Sequence, residues 1–291
     1  MMIRRSLILT AVLLILFEAF IRLSDIKWDT SQNDKAINLI SAQNFIYNLP
    51  DNEVGMDTLI IGSSISRKLL PDSLGEHYVN LAFNGWSSYD GLELVRLTRK
   101  KPACIMVEMN IVGNQILQQD MVSSLRPLSY YTNTTFKSFQ LRNQPIGLMV
   151  GYFKNLMKNK IEEQKKKKRE NLALYKFNLQ LEKKKLWQTI PDSVLDAKFT
   201  VLKSMINHFR RENINVIFFE APIDEELENT ATVVKLRKYF HLYFPVGQYT
   251  YLPGPKINNF SYSDGFHLTA ESAVVYTLYL KQQLNDLNNV N

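Results

Sequence analysis

The sequence has few of the residues that build disulfides, metal centres or phosphate-binding loops: one cysteine, four histidines and 11 glycines among 291 residues. A single cysteine, Cys104, cannot form an intramolecular disulfide, and its apolar neighbours predict a buried strand position. The histidines lack the spacing of metal ligands, and the glycines are scattered singly rather than gathered in a phosphate-cradling loop. We therefore expect neither a metal nor a cofactor.

The formal net charge of +7 is concentrated in one part of the chain. Residues 151–190 contain 12 Lys/Arg and 4 Asp/Glu, which accounts for the whole positive excess, and the remainder is close to neutral. A nucleic-acid-binding fold normally spreads its basic residues over a binding face. The distribution therefore argues against a nucleic-acid partner.

Residues 1–23 combine a basic start with a long apolar run. Two arginines precede Ser6–Leu23, which only Glu18 and Arg22 interrupt. No small-residue cleavage site follows, which favours an uncleaved membrane anchor with its basic end in the cytoplasm and the main domain outside. A cleaved signal peptide and a buried helix of a cytosolic protein stay open as alternatives. The polar residues 24–56 predict a tether.

Four short apolar runs, each followed by polar residues, predict β-strands: Thr58–Ile61, Tyr78–Phe83, Cys104–Asn110 and Asn215–Ala221. Helical periodicity returns between these runs, and Thr269–Leu287 predicts a C-terminal helix. Strands that alternate with helices indicate an α/β fold with a parallel sheet, in which active residues follow the carboxyl ends of strands. Residues 57–291 are therefore expected to form one α/β domain.

A basic helical insertion is predicted in this domain at about 146–190. Ile146–Phe153 is apolar and aromatic, and lysines dominate after it, with a low-complexity run at Lys165–Arg169. A basic amphipathic helix can lie on an anionic membrane surface. The pattern leaves open whether this segment contacts a membrane or partner protein, or is a solvated helical surface.

Two polar segments about 200 residues apart carry the strongest chemical signal. Gly62-Ser63-Ser64 directly follows the first predicted strand, and Asp264-Gly265-Phe266-His267 precedes the last predicted helix. A serine hydroxyl becomes a good nucleophile when a histidine takes its proton, and a carboxylate fixes the tautomer of that histidine. We predict Ser64 as the nucleophile, His267 as the base and Asp264 as its partner, with Ser63 as a turn residue.

These segments resemble the motifs of the SGNH/GDSL hydrolase superfamily. The resemblance extends to Gly85 after the second strand and Asn110 after the third. It implies a flavodoxin-like α/β/α sandwich with a parallel sheet and a catalytic set of Ser64, Asp264 and His267. It also implies an oxyanion hole made by the Ser64 amide, Gly85 and Asn110.

Two departures from the family pattern are visible. Ser63 stands where the family usually has aspartate, and Glu108-Met109-Asn110-Ile111 replaces the usual Gly-x-Asn-Asp. Gly-Ser-Ser is more similar to the membrane-anchored branch, which includes the teichoic-acid D-alanyl-transfer protein and polysaccharide O-acetyltransferases. That branch places the protein at a bacterial inner membrane with its main domain in the periplasm.

The resemblance implies a serine acyltransferase or carbohydrate esterase that moves or removes an acyl group, most simply acetyl, on an envelope polysaccharide. The expected partners are the glycan or acylated carbohydrate, the membrane and a membrane-bound O-acyltransferase. The degraded third motif keeps an alternative open, in which the fold is a non-catalytic assembly partner of that acyltransferase.

Overall fold

The computed structural model describes residues 2–290 apart from 25, 27, 49–57, 99, 111, 113–116, 161–171 and 256–258. Its internal contacts group the chain into two compact units. Met1–Leu49 and Gln119–Gln164 form one, called here the helical unit; Pro50–Gln118 and Lys165–Asn291 form the other, called the sheet unit. The predicted domain 57–291 is thus divided between them, because residues 119–164 associate with the N-terminal segment.

The described elements alternate between helices and short strands over most of the chain. In chain order they are α1 (Met2–Leu23), α2 (Asp34–Gln43), β1 (Thr58–Ile61), α3 (Pro71–Leu74), β2 (Tyr78–Asn80), α4 (Ser88–Arg96), β3 (Cys104–Glu108), α5 (Gln119–Ser123), α6 (Pro127–Thr135), α7 (Pro145–Leu156), α8 (Leu172–Leu186), α9 (Asp192–Arg211), β4 (Asn215–Phe219), α10 (Glu225–Glu228), α11 (Ala231–Tyr243), β5 (Thr250–Tyr251) and α12 (Ala270–Val290).

The sheet unit contains a five-stranded parallel sheet with the strand order β2-β1-β3-β4-β5. The expectation of an α/β fold with a parallel sheet is confirmed. The four predicted strands are present, and three end two or three residues earlier than predicted, although single backbone hydrogen bonds, such as that from the Leu81 amide to the Ile60 carbonyl at 2.8 Å, continue beyond their ends. The fifth strand, β5, was not predicted, since two residues at a sheet edge give no periodic signal.

Successive side chains of the strands pack against different sets of helices. Ile60, Met106 and Ile217 belong to a buried cluster that also contains Leu280 of α12. Phe218, the neighbour of Ile217 in β4, packs instead against Phe240 of α11, with the ring centroids 4.8 Å apart. Because side chains on both faces of the sheet are buried, the strand sequences are continuously apolar rather than alternating between apolar and polar residues.

The helical unit contains α1, α2 and α5 to α7, with 3₁₀ turns at Lys137–Phe139 and Leu141–Asn143. Within α1, Ile3–Leu23 is long and apolar enough to cross a membrane by length and composition. The predicted tether is partly ordered, because Asn33 caps α2 by accepting a hydrogen bond from the Ala36 amide at 2.9 Å.

The predicted basic insertion at about 146–190 contains the helices α7 and α8, but it is not one helix, and residues 187–190 are not helical. α7 ends at Leu156, and its capping residue Met157 leaves the helical conformation. α8 begins at Leu172 and belongs to the sheet unit, whereas α7 belongs to the helical unit. The low-complexity run Lys165–Arg169 lies outside the described residues.

Candidate active site

The turn after β1 is shaped by a close approach of its backbone to a carboxylate. A Cβ atom placed on Gly62 would lie 2.5 Å from Oε2 of Glu108, so a side chain at this position would collide with it. The chain then bends through Ser63 and Ser64 into a 3₁₀ turn that starts at Ser66. This bend places Ser64, which is only partly buried, just beyond the carboxyl end of the sheet.

Ser64, His267 and Asp264 form a continuous hydrogen-bonded relay. The Ser64 Oγ lies 2.8 Å from Nε2 of His267, and Nδ1 of the same ring lies 2.7 Å from Oδ2 of Asp264. With Nδ1 protonated, the ring donates to the carboxylate and its Nε2 lone pair accepts the serine proton. The structure therefore brings together the three residues that the sequence pairs across 203 positions, in the order that general-base activation requires.

The aspartate also holds its own loop in place. Oδ1 of Asp264 accepts hydrogen bonds from the backbone amides of Phe266 and His267, at 3.0 and 2.9 Å. Burial would raise the pKa of the Asp264 carboxyl, but the bonds and charge of His267 outweigh it and hold the pKa below its ordinary value. The carboxylate is therefore ionised near neutral pH and able to orient the imidazole.

A neighbouring helix and loop support the turn that carries the aspartate and histidine. Gly265 has a φ of +95°, and a Cβ there would lie 2.6 Å from a methyl group of Leu179 in α8. Its carbonyl accepts a hydrogen bond from the Asp224 amide at 2.8 Å, which ties the turn to the loop after β4. Glycine is therefore required by both conformation and space.

Two backbone amides of the predicted oxyanion hole are available for a ligand. Among the described residues, neither the Ser64 nor the Gly85 amide has a hydrogen-bond acceptor. Gly85 has a φ of +67° in the turn after β2, and the space where its side chain would stand is open. A left-handed turn residue leaves its N–H directed away from regular pairing, as anion-binding amides require.

Asn110, the third predicted oxyanion donor, has a structural bond in the described state. Its side-chain Nδ2 donates to the Ala221 carbonyl at 2.7 Å, and its Oδ1 accepts from the Ala221 amide at 2.8 Å. This two-way bond joins the ends of β3 and β4. An amide has a second N–H, so the oxyanion role of Asn110 stays a prediction.

Glu108 is the residue of this region whose role the sequence did not reveal. Its buried carboxylate at the end of β3 accepts bonds from the backbone amides of Ser63 and Ser66, at 2.9 and 3.2 Å, and from both of their hydroxyls. Burial raises the pKa of Glu108, although the bonds from Ser66 and Ser63 oppose this. The available signal was an acidic residue closing an otherwise apolar strand.

A cleft of about 370 Å³ opens beside the relay. Ser64 and His267 line it together with their neighbours Ile65 and Phe266. Another part of the lining comes from α8 and the segment after it, namely Glu182, Lys185, Leu186, Gln188 and Ile190. The lining combines the apolar side chains of Ile65, Leu186 and Phe266 with charged and amide side chains of α8 and the segment after it. Lys185 and Glu182 pair with each other at 2.6 Å.

The geometry above defines a serine–histidine–aspartate site at the carboxyl edge of a parallel α/β sheet. Comparison with models of known protein families, with curated proteins and with solved structures found no match. Among the described residues, no group of three or more His, Cys, Asp or Glu side chains is arranged to hold a metal ion.

Proposed function

We propose that the protein is a serine acyltransferase or esterase of the SGNH type, acting through an acyl-Ser64 intermediate. The observation that carries this proposal is the relay from Ser64 Oγ to His267 Nε2 and from His267 Nδ1 to Asp264 Oδ2, at 2.8 and 2.7 Å. A turn or capping serine would not require an imidazole on its hydroxyl and a carboxylate on that imidazole.

The reaction takes place in two half-reactions. His267 removes the Ser64 proton while Oγ attacks the acyl carbonyl, and the Ser64 and Gly85 amides stabilise the negative oxygen of the tetrahedral intermediate. His267 then protonates the departing alcohol, which leaves an acyl ester on Ser64. In the second half, His267 deprotonates an acceptor hydroxyl or water, which attacks the ester and releases Ser64 with its proton restored.

The topology of the sheet supports the family proposal. The strand order β2-β1-β3-β4-β5 is that of doubly wound flavodoxin-like folds, whose ligands lie beyond the carboxyl ends of strands where the order reverses. Here the reversal lies between β1 and β3, and Ser64 and Glu108 follow or end those two strands. We accordingly propose a flavodoxin-like α/β/α sandwich with its site at this switch point.

The substrate proposal rests on the cleft and on α1. A cleft lined by both apolar side chains and charged or amide groups suits an acetyl-sized acyl group on a carbohydrate. α1 supports a single-pass anchor in a bacterial inner membrane with the main domain in the periplasm. An envelope polysaccharide then supplies the acceptor hydroxyl, and a membrane-bound O-acyltransferase is the natural source of acyl groups.

Acyl trapping tests the proposed nucleophile. The purified full chain, incubated with p-nitrophenyl acetate and quenched in acid, should gain the mass of one acetyl group, and peptide mapping should place that group on Ser64. Ser64→Ala should lose both label and turnover. Ser263→Ala is the matched control, because among the described residues the Ser263 hydroxyl bonds only to the His267 carbonyl, at 3.3 Å, and not to the imidazole.

Two outcomes would decide against this function. An unlabelled Ser64 with turnover unchanged in Ser64→Ala would exclude the acyl-serine mechanism. Envelope modification that persists in cells carrying Ser64→Ala together with His267→Ala would favour a non-catalytic partner of a membrane acyltransferase. In a working enzyme, the ratio of acetylated glycan to free acetate separates transfer from hydrolysis.

A further inference from the structure

The helical unit directs an apolar face of α7 outward. Ile146, Met149, Phe153 and Leu156 recur at spacings of three and four residues, so they lie along one side of the helix. All four are more than half exposed, with 66% of Ile146 and 63% of Leu156 accessible. A water-soluble surface rarely presents such a continuous apolar stripe.

The opposite side of α7 explains why this stripe faces outward. Gly147 and Gly151 are buried, and Cβ atoms on them would lie 3.2 Å from the Thr30 carbonyl and 3.1 Å from the Trp28 Cβ. The glycines therefore let α7 lie directly on the 28–30 segment. Since this close contact uses the small side of the helix, the large apolar side chains are left on the other side.

The turn between α6 and α7 adds exposed aromatic residues. Phe136 and Phe139 are about half exposed and contact each other edge to face, with their ring centroids 5.8 Å apart. Leu128 of α6 is 78% exposed. We call these three residues and the α7 stripe the outward apolar surface.

This turn is bonded to the end of α1. Glu18 accepts hydrogen bonds from the backbone amides of Lys137 and Ser138, at 3.0 and 2.9 Å, and pairs with Arg22 at 2.6 Å. Arg22 donates in turn to the Thr135 carbonyl at 2.6 Å. The charged positions that interrupt the apolar run of α1 are therefore joined to the segment that carries Phe136 and Phe139.

The length of the apolar part of α1 sets the level of this junction. Ser6–Phe17, between Arg5 and Glu18, spans about 18 Å at ~1.5 Å per residue, which is short of a hydrocarbon core of about 30 Å. Glu18 and the turn bonded to it are thereby drawn toward the edge of the hydrocarbon, where Phe and Leu side chains of interfacial segments insert.

A polar cavity of about 400 Å³ lies in the helical unit beside the end of α1. Ile21 and Ser24 line one part of it, and Lys137, Arg142 and the Tyr47 ring line another. Two cationic side chains next to the end of a membrane helix suit the phosphate level of a phospholipid layer. Apolar residues and cations are therefore both placed as a lipid interface requires.

We propose that the outward apolar surface of the helical unit lies in the interfacial layer of the lipid bilayer, beside the end of α1. The occupant of this surface is lipid rather than water or protein. The membrane anchor then consists of α1 together with the outward apolar surface, whether or not Ser64 is catalytic.

Nitroxide accessibility in a bilayer tests this proposal on the full chain. Single cysteines in a Cys104→Ala background, at Ile146, Phe153 and Leu128, are spin-labelled and reconstituted in phosphatidylethanolamine–phosphatidylglycerol vesicles. Leu242 of the sheet unit is the matched control, because it is 66% exposed like Ile146, and Leu13 reports on α1 itself. Thermal melting checks that each labelled protein is folded.

Oxygen concentrates in lipid and a nickel chelate in water, so their collision rates distinguish the environments. We expect the oxygen-to-nickel ratio at Ile146, Phe153 and Leu128 to be several-fold above that at Leu242. Nickel access equal to Leu242 would overturn the proposal, and exclusion of both reagents would do the same by indicating protein contact. If Leu13 is in lipid while the other sites are not, α1 is a membrane anchor and the outward apolar surface does not contact lipid. A water-exposed Leu13 contradicts both the anchor and the lipid contact.

Discussion

The two units of this chain use apolar residues in opposite ways. The sheet unit surrounds its strands with buried side chains, and Leu59, Ile105 and Phe218 are fully inaccessible. In the helical unit a whole side of one helix, α7, stays accessible, and its Leu156 and Ile146 are about two-thirds exposed. Burial drives folding in water by about 25 cal/mol per Å² of apolar surface, so the helical unit leaves much of this free energy unused unless another apolar phase is present.

An apolar sequence pattern alone therefore does not reveal whether the apolar side of a helix packs on the protein core or faces the surroundings of the protein. α12 and α7 both carry apolar residues at helical spacing, but α12 places Tyr276 and Leu280 in the sheet core. α7 uses small Gly147 and Gly151 for its protein contact instead. A small inner side with a large outer side is typical of helices whose surroundings are themselves apolar.

Replacing Asp264 should change kcat more than any other variant considered, and it tests whether catalysis in the sheet unit is independent of lipid contact in the helical unit. Asp264→Asn should lower kcat by about 10³–10⁴-fold, because an amide favours the wrong tautomer of His267. Vesicle association should be unchanged, whereas the melting temperature should fall, because folding lowers the pKa of Asp264 and its ionised form therefore contributes stability at neutral pH. A kcat within tenfold of the wild type, measured with p-nitrophenyl acetate, would show that the relay does not drive turnover.

A matched pair of phenylalanine truncations tests the contrast in burial directly. Phe218→Ala should lower the free energy of unfolding by about 3–5 kcal/mol, since it empties a site in contact with Phe240, Phe244 and Tyr251. Phe153→Ala should lower it by less than about 1 kcal/mol in detergent, because its ring is mostly exposed. Urea unfolding of the full chain measures both, and equal losses would contradict the comparison.

Much of the sheet unit was predictable because β1, β3 and β4 are buried on both sides. Continuous apolar runs located β1 to β4, and Thr58–Ile61 has the predicted bounds. β5 was missed, since Thr250–Tyr251 is a two-residue edge strand whose pairing depends on β4. The association of residues 119–164 with the N-terminal segment was also missed, because it depends on long-range contacts such as those of Glu18.

The three relay residues were predictable because each follows or precedes a recognisable element. Their distances were not, because they depend on how Gly62 and Gly265 bend the chain beyond those elements. Glu108 was visible in the sequence as an acidic residue at the end of an apolar strand and as a departure from a family motif, and neither signal indicated its contacts. Its bonds to Ser63 and Ser66 arise from the parallel register of β1 and β3, in which Ile61 stands opposite Val107.

The next prediction concerns this buried carboxylate. Glu108→Gln should destabilise the sheet unit by about 1–3 kcal/mol, because an amide nitrogen cannot accept the bonds that Ser63 and Ser66 donate. It should also slow acetylation of Ser64, since the turn that carries the nucleophile loses its support. Urea unfolding and the rate of acetyl labelling report the two effects, and an unchanged labelling rate would restrict Glu108 to a purely structural role.

The stability difference between wild type and Glu108→Gln should depend on pH in a definite direction. Because the pKa of Glu108 is raised by folding, its contribution to stability is fully present below its ordinary value of 4.5 and is lost as pH rises through the folded pKa. Glutamine has no such dependence. The stability gap between wild type and Glu108→Gln should therefore narrow as pH rises from 4.5 toward neutrality, and a gap that widens would contradict the raised pKa.

The smallest change, in KM, is expected for a lysine of the predicted basic insertion. The lysines of this insertion are close in sequence, but the structure divides them between the two units. Lys185 of α8 lines the cleft of the sheet unit, whereas Lys154 of α7 belongs to the helical unit and pairs with Asp29 at 2.8 Å. Lys185→Ala should raise KM less than about fivefold and leave kcat unchanged, because an exposed pair such as Lys185–Glu182 contributes at most about 1 kcal/mol.

Lys183→Ala is the control for this change, since Lys183 pairs with Glu226 at 2.8 Å and does not line the cleft. A rise in KM for Lys185→Ala alone, with vesicle association unchanged in both variants, would assign Lys185 to substrate contact and leave lipid contact to the helical unit. Weaker vesicle association in either variant would instead extend lipid contact to the sheet unit. The contrast between the units would then be one of degree, because both would meet the membrane and only the helical unit would do so through apolar side chains.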